Sequence, residues 1–141
     1  MVRAFICVEL GETLRREISR VQQDLRSMLE RAADGARIAW VRPQSMHLTL
    51  KFLGDIDEAI VPVLHESIAA RAKDARSVDV PLTRLGGFPR LQEPRNLWLG
   101  PDERWEHGAD ARLLQSLVRE IDESCAPHGI VPEKRPFSPH L

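Results

Sequence analysis

The chain has 141 residues, enough for one domain with a sizeable core and too few for two. Its 20 basic and 21 acidic residues leave a net charge of −1, which argues against a protein that coats long nucleic acid by counterion release but leaves room for a small basic groove gripping one terminus. Hydrophobic residues at 43% and charged residues at 29% exclude wholesale disorder. Cys7 and Cys125 lie far apart with no CxxC spacing, so neither a zinc knuckle nor a disulfide framework is indicated, and both read as buried thiols of a reducing compartment. Val2 to Leu10 is too short for a signal peptide and is broken by Glu9, and no run approaches the roughly 20 apolar residues of a membrane span. A cytoplasmic protein with no membrane contact is expected.

In chain order, Ala4 to Leu10 is a near-continuous run of strand formers and reads as a buried central strand. Thr13 is placed to cap a helix in which Leu14, Ile18, Val21, Leu25 and Met28 recur at helical spacing. Arg15, Arg16, Arg20 and Arg26 take the other faces; a solvated helix surface explains them more simply than an RNA-facing one. Asp34-Gly35 is expected to close this helix with a left-handed glycine. Arg37 to Val41 alternates and holds Trp40, so a strand is expected there, turning through Arg42-Pro43-Gln44 into an antiparallel hairpin with the next strand.

That next strand, Ser45 to Gly54, divides into two faces under the two-residue period. Met46, Leu48, Leu50 and Phe52 make an apolar side, while His47, Thr49 and Lys51 make a polar one that a core has no use for. An ordinary solvated strand face has the same pattern. A titratable group, a hydroxyl and a cation in a row are also the equipment for handling an anion.

A second helix is expected after Asp55 to Asp57, with Ile60, Leu64 and Ile68 as its stripe, Pro62 in its first turn and His65 at the surface. Ser77 to Leu85 alternates again, with Pro81 marking an edge or a bulge. Gly86-Gly87-Phe88-Pro89 and Leu91 to Asn96 read as loops, and Asn96 to Gly100 as a short strand. A third helix is expected over about Ala109 to Ala126, with Leu113, Leu114, Leu117, Ile121 and Cys125 inward and Pro127-His128-Gly129 as its stop. The tail from Ile130 carries Pro132, Pro136 and Pro139 and is expected to be extended. The alternation is that of an α+β fold with mostly antiparallel pairing, and no Gly-rich phosphate loop, HExxH or GxSxG motif is present.

The tail ends Lys134-Arg135-Pro136-Phe137-Ser138-Pro139-His140-Leu141, so His-Leu occurs a second time. With His47-Leu48-Thr49-Leu50-Lys51-Phe52-Leu53-Gly54, the Phe5 to Leu10 run, Trp40-Val41-Arg42-Pro43 and Gly87-Phe88-Pro89, the chain resembles the two-histidine (2H) phosphoesterases, and within them the RNA 2′,3′-cyclic phosphodiesterases also known as 2′-5′ RNA ligases. The resemblance implies two pseudo-symmetric lobes of antiparallel sheet with helices outside and a groove between them, each lobe contributing one His-x-Thr-x motif. It covers the whole chain, which is expected to be a single domain over 1–141 that stops at the second motif, since no residue stands where the second threonine belongs.

The resemblance implies hydrolysis of RNA 2′,3′-cyclic phosphate ends to 2′-phosphates without a metal or other cofactor, reversible as 2′-5′ ligation. His47 would be the proton donor and His140 the acceptor. Thr49 would hold phosphate, with Lys51, Lys134 and Arg135 as further contacts to substrate. Histidine suits both proton transfers because its ordinary pKa of roughly 6.5 keeps both forms accessible near neutrality. A monomer acting on RNA is expected. The alternative is a non-catalytic RNA-end binder of the same fold. A metal site is the weaker reading, because His65, His107 and His128 show no ligand spacing to His47 or His140. Trp40, Trp98 and Trp105 could stack bases, though strand tryptophans serve more often in a core.

Overall fold

The computed structural model describes residues 1–32, 35 and 37–141. Among these residues four strands and four α-helices follow in the order β1 (Val2–Glu9), α1 (Glu12–Ala32), β2 (His47–Ile56), α2 (Val61–Asp74), β3 (Arg84–Phe88), β4 (Asn96–Gly100), α3 (Glu103–Glu106) and α4 (Ala109–Cys125). This is the α+β architecture expected, built on two small sheets, β1–β2 and β3–β4. The chain divides into two compact units, residues 8–48 and residues 1–7 with 49–141.

In the first unit α1 is capped at its start by the carbonyl of Gly11, which accepts from Arg15 N–H at 3.0 Å. Thr13 therefore lies inside the helix instead of capping it. Glu12 in the first turn and Arg31 in the last match the helix dipole. The expected apolar stripe is only partly realised: Ile18 is buried, but Leu14, Val21 and Met28 are exposed. Asp34 lies outside the described residues, while Gly35 takes the left-handed conformation, at φ +83°.

Arg37 to Val41 forms no strand, and no hairpin precedes the motif. The segment is held instead by side chains of α1. Gln22 donates to the Val41 carbonyl at 2.7 Å, and the Arg26 guanidinium lies 5.3 Å above the Trp40 ring. A single turn of 3₁₀ helix, Pro43–Ser45, then delivers the chain to β2.

Among the described residues β1 pairs with β2 alone, so it is not a central strand. Phe5 and Val8, on opposite faces of the strand, are both exposed. Asp57 caps a 3₁₀ turn by accepting from Ala59 N–H at 3.0 Å, and Pro62 then sits in the first turn of α2, where its missing N–H costs no hydrogen bond. Leu64 anchors α2 in the core and His65 is exposed, both as expected. α2 packs on α4, which buries Ala111, Leu114, Ile121 and Cys125. Leu113, expected inward, is exposed, and Ala111 is buried instead. A 3₁₀ turn, Ala126–His128, and Gly129 at φ +77° stop α4 where the Pro-His-Gly sequence required.

The strand expected over Ser77 to Leu85 is displaced: residues 75–83 are irregular, and β3 begins at Arg84. Trp105 fastens that irregular segment by donating its indole N–H to the Asp79 carbonyl at 2.6 Å. Gly86, Gly87 and Phe88, expected in a loop, are strand residues that pair antiparallel with Trp98, Leu97 and Asn96. β4 occupies the expected residues. The short helix α3 was not legible; Asp102 caps it by accepting from Trp105 N–H at 2.9 Å.

Candidate active site

Two histidines carry the same local device. His47 opens β2 directly after the Pro43–Ser45 turn, and its Nδ1 lies 3.1 Å from the carbonyl oxygen of Ser45. His140 lies in the extended tail, with Nδ1 2.8 Å from the carbonyl oxygen of Ser138. A carbonyl oxygen only accepts, so in each ring Nδ1 must be the donor and Nε2 the nitrogen that gains or loses a proton. The signal was present in the sequence as a repeated Ser-x-His, Ser45-Met46-His47 and Ser138-Pro139-His140. Strand periodicity could not reveal it, because the contact is made by backbone oxygens.

The tail that carries His140 runs beside β4. Leu141 N–H donates to Leu99 O at 2.8 Å and Leu99 N–H donates to Leu141 O at 3.1 Å. Residues that exchange both bonds are directly opposed in an antiparallel pair. His140 therefore shares a sheet face with Gly100 and Trp98, and the imidazole and indole centroids are 6.3 Å apart with the rings tilted by 59°. Proline at 139 biases Ser138 toward the extended conformation this pairing needs. Beside this run a cavity of about 430 Å³ opens between Trp105, Ala111 and Leu114 on one side and Pro136, Phe137 and Pro139 on the other.

The polar face of β2 is not uniform. His47 and Thr49 are partly exposed, but Lys51 is only 6% exposed. Its ammonium pairs with Asp122 Oδ1 on α4 and donates to the Val131 carbonyl at 3.1 Å. Asp122 Oδ1 also accepts from Glu133 N–H at 3.2 Å. A lysine satisfied in this way ties β2, α4 and the start of the tail together, which corrects the expectation that a core has no use for it. The opposite correction falls on Phe52, expected inward and found 71% exposed, its ring 6.3 Å from that of Phe5. The alternation fails here because α4 supplies a counter-charge on the nominally polar side, which only the tertiary fold reveals.

Lys134 and Arg135 are exposed on the tail. Arg135 is engaged with Glu133, whose carboxylate accepts from Arg135 N–H at 3.0 Å and from its Nε at 3.3 Å. These contacts hold the Glu133 carboxyl below its ordinary pKa, the backbone hydrogen bond first and the side-chain one second. Burial pushes the Cys125 thiol up, with Asp122 adding to the effect and Lys51 opposing it. Among the described residues no group of three or more His, Cys, Asp or Glu side chains is placed to hold a metal ion, and no helix is long and apolar enough to cross a membrane.

The frame on which these residues stand is that of solved phosphoesterases. A phosphoesterase crystal structure superposes with a TM-score of 0.63 at 23% identity, covering 98% of this chain and 69% of that one. The crystal structure of E. coli LigT complexed with 3′-AMP superposes at 0.60 with 24% identity and the same coverage. The family model of LigT-like phosphoesterases matches residues 13–98, more than half of the chain, and the chain belongs to that family. It is 31% identical over 140 residues to the RNA 2′,3′-cyclic phosphodiesterase of Methanothermobacter thermautotrophicus, covering 99% of this chain and 68% of the relative. It is likewise 31% identical to that of Aquifex aeolicus, covering 69% of the relative, and 32% identical to that of Geobacillus stearothermophilus, of which it spans 40%.

Proposed function

We propose that this chain hydrolyses RNA 2′,3′-cyclic phosphate ends to 2′-phosphates without a metal, and that the same groups form 2′-5′ linkages when a 5′-hydroxyl takes the place of water. The observation that carries the reading is the paired histidine device, in which each Nδ1 faces a carbonyl two residues upstream, which makes Nε2 the proton-exchanging nitrogen of the ring. The curated relatives named RNA 2′,3′-cyclic phosphodiesterase support the substrate class.

In hydrolysis a water oxygen attacks phosphorus, the P–O3′ bond breaks, and the charge that develops lies on the non-bridging oxygens. His140 takes the proton of the attacking water, and His47 gives one to the departing 3′ oxygen. The Thr49 hydroxyl donates to a non-bridging oxygen, where a fixed dipole acts on charge as it forms. Lys134 and Arg135 meet the RNA backbone from the tail. Lys51 takes no part in binding substrate, because its ammonium is committed to Asp122 and Val131. We also place the protein in the cytoplasm, as a single 2H domain and a monomer, its two cysteines lacking the CxxC spacing of a disulfide or zinc framework.

The test is turnover of an oligonucleotide ending in a 2′,3′-cyclic phosphate, followed by ³¹P NMR. Appearance of a 2′-phosphate is expected, undiminished by EDTA. His47→Ala should lower the rate by at least about 10²-fold, the scale of a lost general acid. Binding of the oligonucleotide without turnover, or full turnover by His47→Ala, overturns the reading.

A further inference from the structure

We propose that Trp98 is the positioning residue for His140, and that the glycines at 86 and 100 serve to let its indole lie across the sheet beside that histidine. The inference deepens the proposed function and rests on His140 acting in it.

Glycine inside a strand weakens it, through backbone entropy and the absence of a side chain to pack. Yet β3 and β4, five residues each, hold Gly86, Gly87 and Gly100. Two of these have one cause. Gly86 stands directly opposite Trp98 in the β3–β4 register, and a Cβ built there falls inside the indole ring. A Cβ at Gly100 comes within 3.0 Å of Trp98 Cζ3 and 2.8 Å of the Pro139 carbonyl oxygen. The indole thus folds over its cross-strand neighbour, and the tail passes close beside it over Gly100. Arg84, opposite Gly100, places its guanidinium carbon 5.6 Å from the indole centroid. The ring is held by backbone and by a cation together.

His140 needs such a wall. It is exposed, and the terminal torsion of a histidine is broad and roughly two-fold, so an unsupported imidazole readily exchanges Nδ1 for Cδ2. The Ser138 carbonyl fixes one edge at 2.8 Å, and the Trp98 indole stands 6.3 Å away at 59°, within the range of edge-to-face aromatic pairs. Together they select one ring orientation and so set the direction of Nε2. Proton transfer to phosphate chemistry is sensitive to such placement, and a displacement of about 1 Å can cost on the order of 10²-fold.

The contact can be read without activity, from ¹H–¹⁵N imidazole spectra of the purified chain. Trp98→Leu is expected to shift the His140 ring-proton resonances and to admit the second tautomer. Trp98→Phe, which keeps a flat ring over Gly86, should restore the Nδ1–H tautomer. In turnover, Trp98→Leu should lower kcat by about 10-fold to 10²-fold with KM near that of the parent, and Trp98→Phe should recover most of the loss. His140 resonances unchanged in Trp98→Leu overturn the inference, as does an unchanged kcat where the resonances move. Should Trp98→Leu fail to fold, Trp98→Phe decides: the parent tautomer with a reduced ring-current shift supports the inference, and an unaltered shift overturns it. A parent chain that hydrolyses no cyclic phosphate overturns the functional reading, while the spectra still decide whether Trp98 orients His140.

Discussion

Leu99 and Leu141 exchange both of their backbone hydrogen bonds, at 3.1 and 2.8 Å. That one reciprocal pair docks the proline-bearing tail antiparallel beside β4. It also puts His140 on the face that Trp98 and Gly100 share. The position of a proposed catalytic group thus depends on a sheet edge, and on there being no side chain at residue 100.

Gly100→Val should break that arrangement. Its Cβ would meet the Pro139 carbonyl and the indole at once, and the tail is the more easily moved of the two. The expected cost is about 1 to 3 kcal/mol, as for other overpacked sites. Hydrogen exchange gives the specific readout: the Leu99 and Leu141 amides should lose protection, while the amides of α4 keep theirs.

The Lys51–Asp122 pair should matter to stability far more than to substrate affinity. Lys51 has a side chain only 3% exposed, so removing its counter-charge strands an ammonium in the core. Asp122→Asn is expected to cost about 3 kcal/mol or more in urea unfolding. Lys51→Met should cost less, because Asp122 is 18% exposed and keeps the Glu133 amide as a donor. If Lys51 bound phosphate instead, Lys51→Met would weaken oligonucleotide binding with little loss of stability.

This pair also marks where sequence reading reached its limit. The faces of Ser45 to Gly54 were legible as far as Leu50, because alternation depends on the strand alone. Beyond that point Phe52 is exposed and Lys51 is buried, the latter because of Asp122, some seventy residues on in α4. The helices α2 and α4 were legible from their stripes and stop signals. Arg37 to Val41 was not, since the partners that hold it irregular, Gln22 and Arg26, belong to α1. Gly86 and Gly87 read as loop residues because glycine usually marks one; the need for Gly86 in a strand depends on a tryptophan across the sheet. At the site, His47, Thr49 and His140 stood out as residue types at a spacing. The Ser45 and Ser138 carbonyls did not, since backbone oxygens have no letter in a sequence.

Cys125 gives a pH dependence with a definite sign. Its folded-state pKa is raised, chiefly by burial, so the folded chain holds the thiol proton more tightly than the unfolded chain does. The associated stability is fully present below the unfolded thiol value of about 8.5 and declines as pH rises past it. Unfolding free energy should therefore fall between pH 8 and 10 at a slope of up to about 1.4 kcal/mol per pH unit from this group. Cys125→Ala should be less stable at pH 7 but should show a shallower decline. A decline of equal steepness in both proteins contradicts the assignment. The same burial should protect Cys125 from iodoacetamide until the chain unfolds.

The two histidine roles can be separated by the leaving group. If His47 supplies the proton to the departing oxygen, a substrate whose leaving group needs no proton should make His47 dispensable. A 3′-deoxynucleoside 2′-(p-nitrophenyl phosphate) is such a substrate, since it keeps the P–O2′ bond, offers no neighbouring hydroxyl, and loses p-nitrophenolate as a stable anion. His47→Ala should hydrolyse it within about tenfold of the parent rate while remaining about 10²-fold slower on the cyclic phosphate. His140→Ala should be slow on both, because water must be deprotonated in either case. The pH–rate profiles should agree: the parent enzyme gives a bell, His140→Ala loses the acid limb and His47→Ala the alkaline one. Rescue of His140→Ala by the activated leaving group, with none for His47→Ala, would show that the donor and acceptor are exchanged.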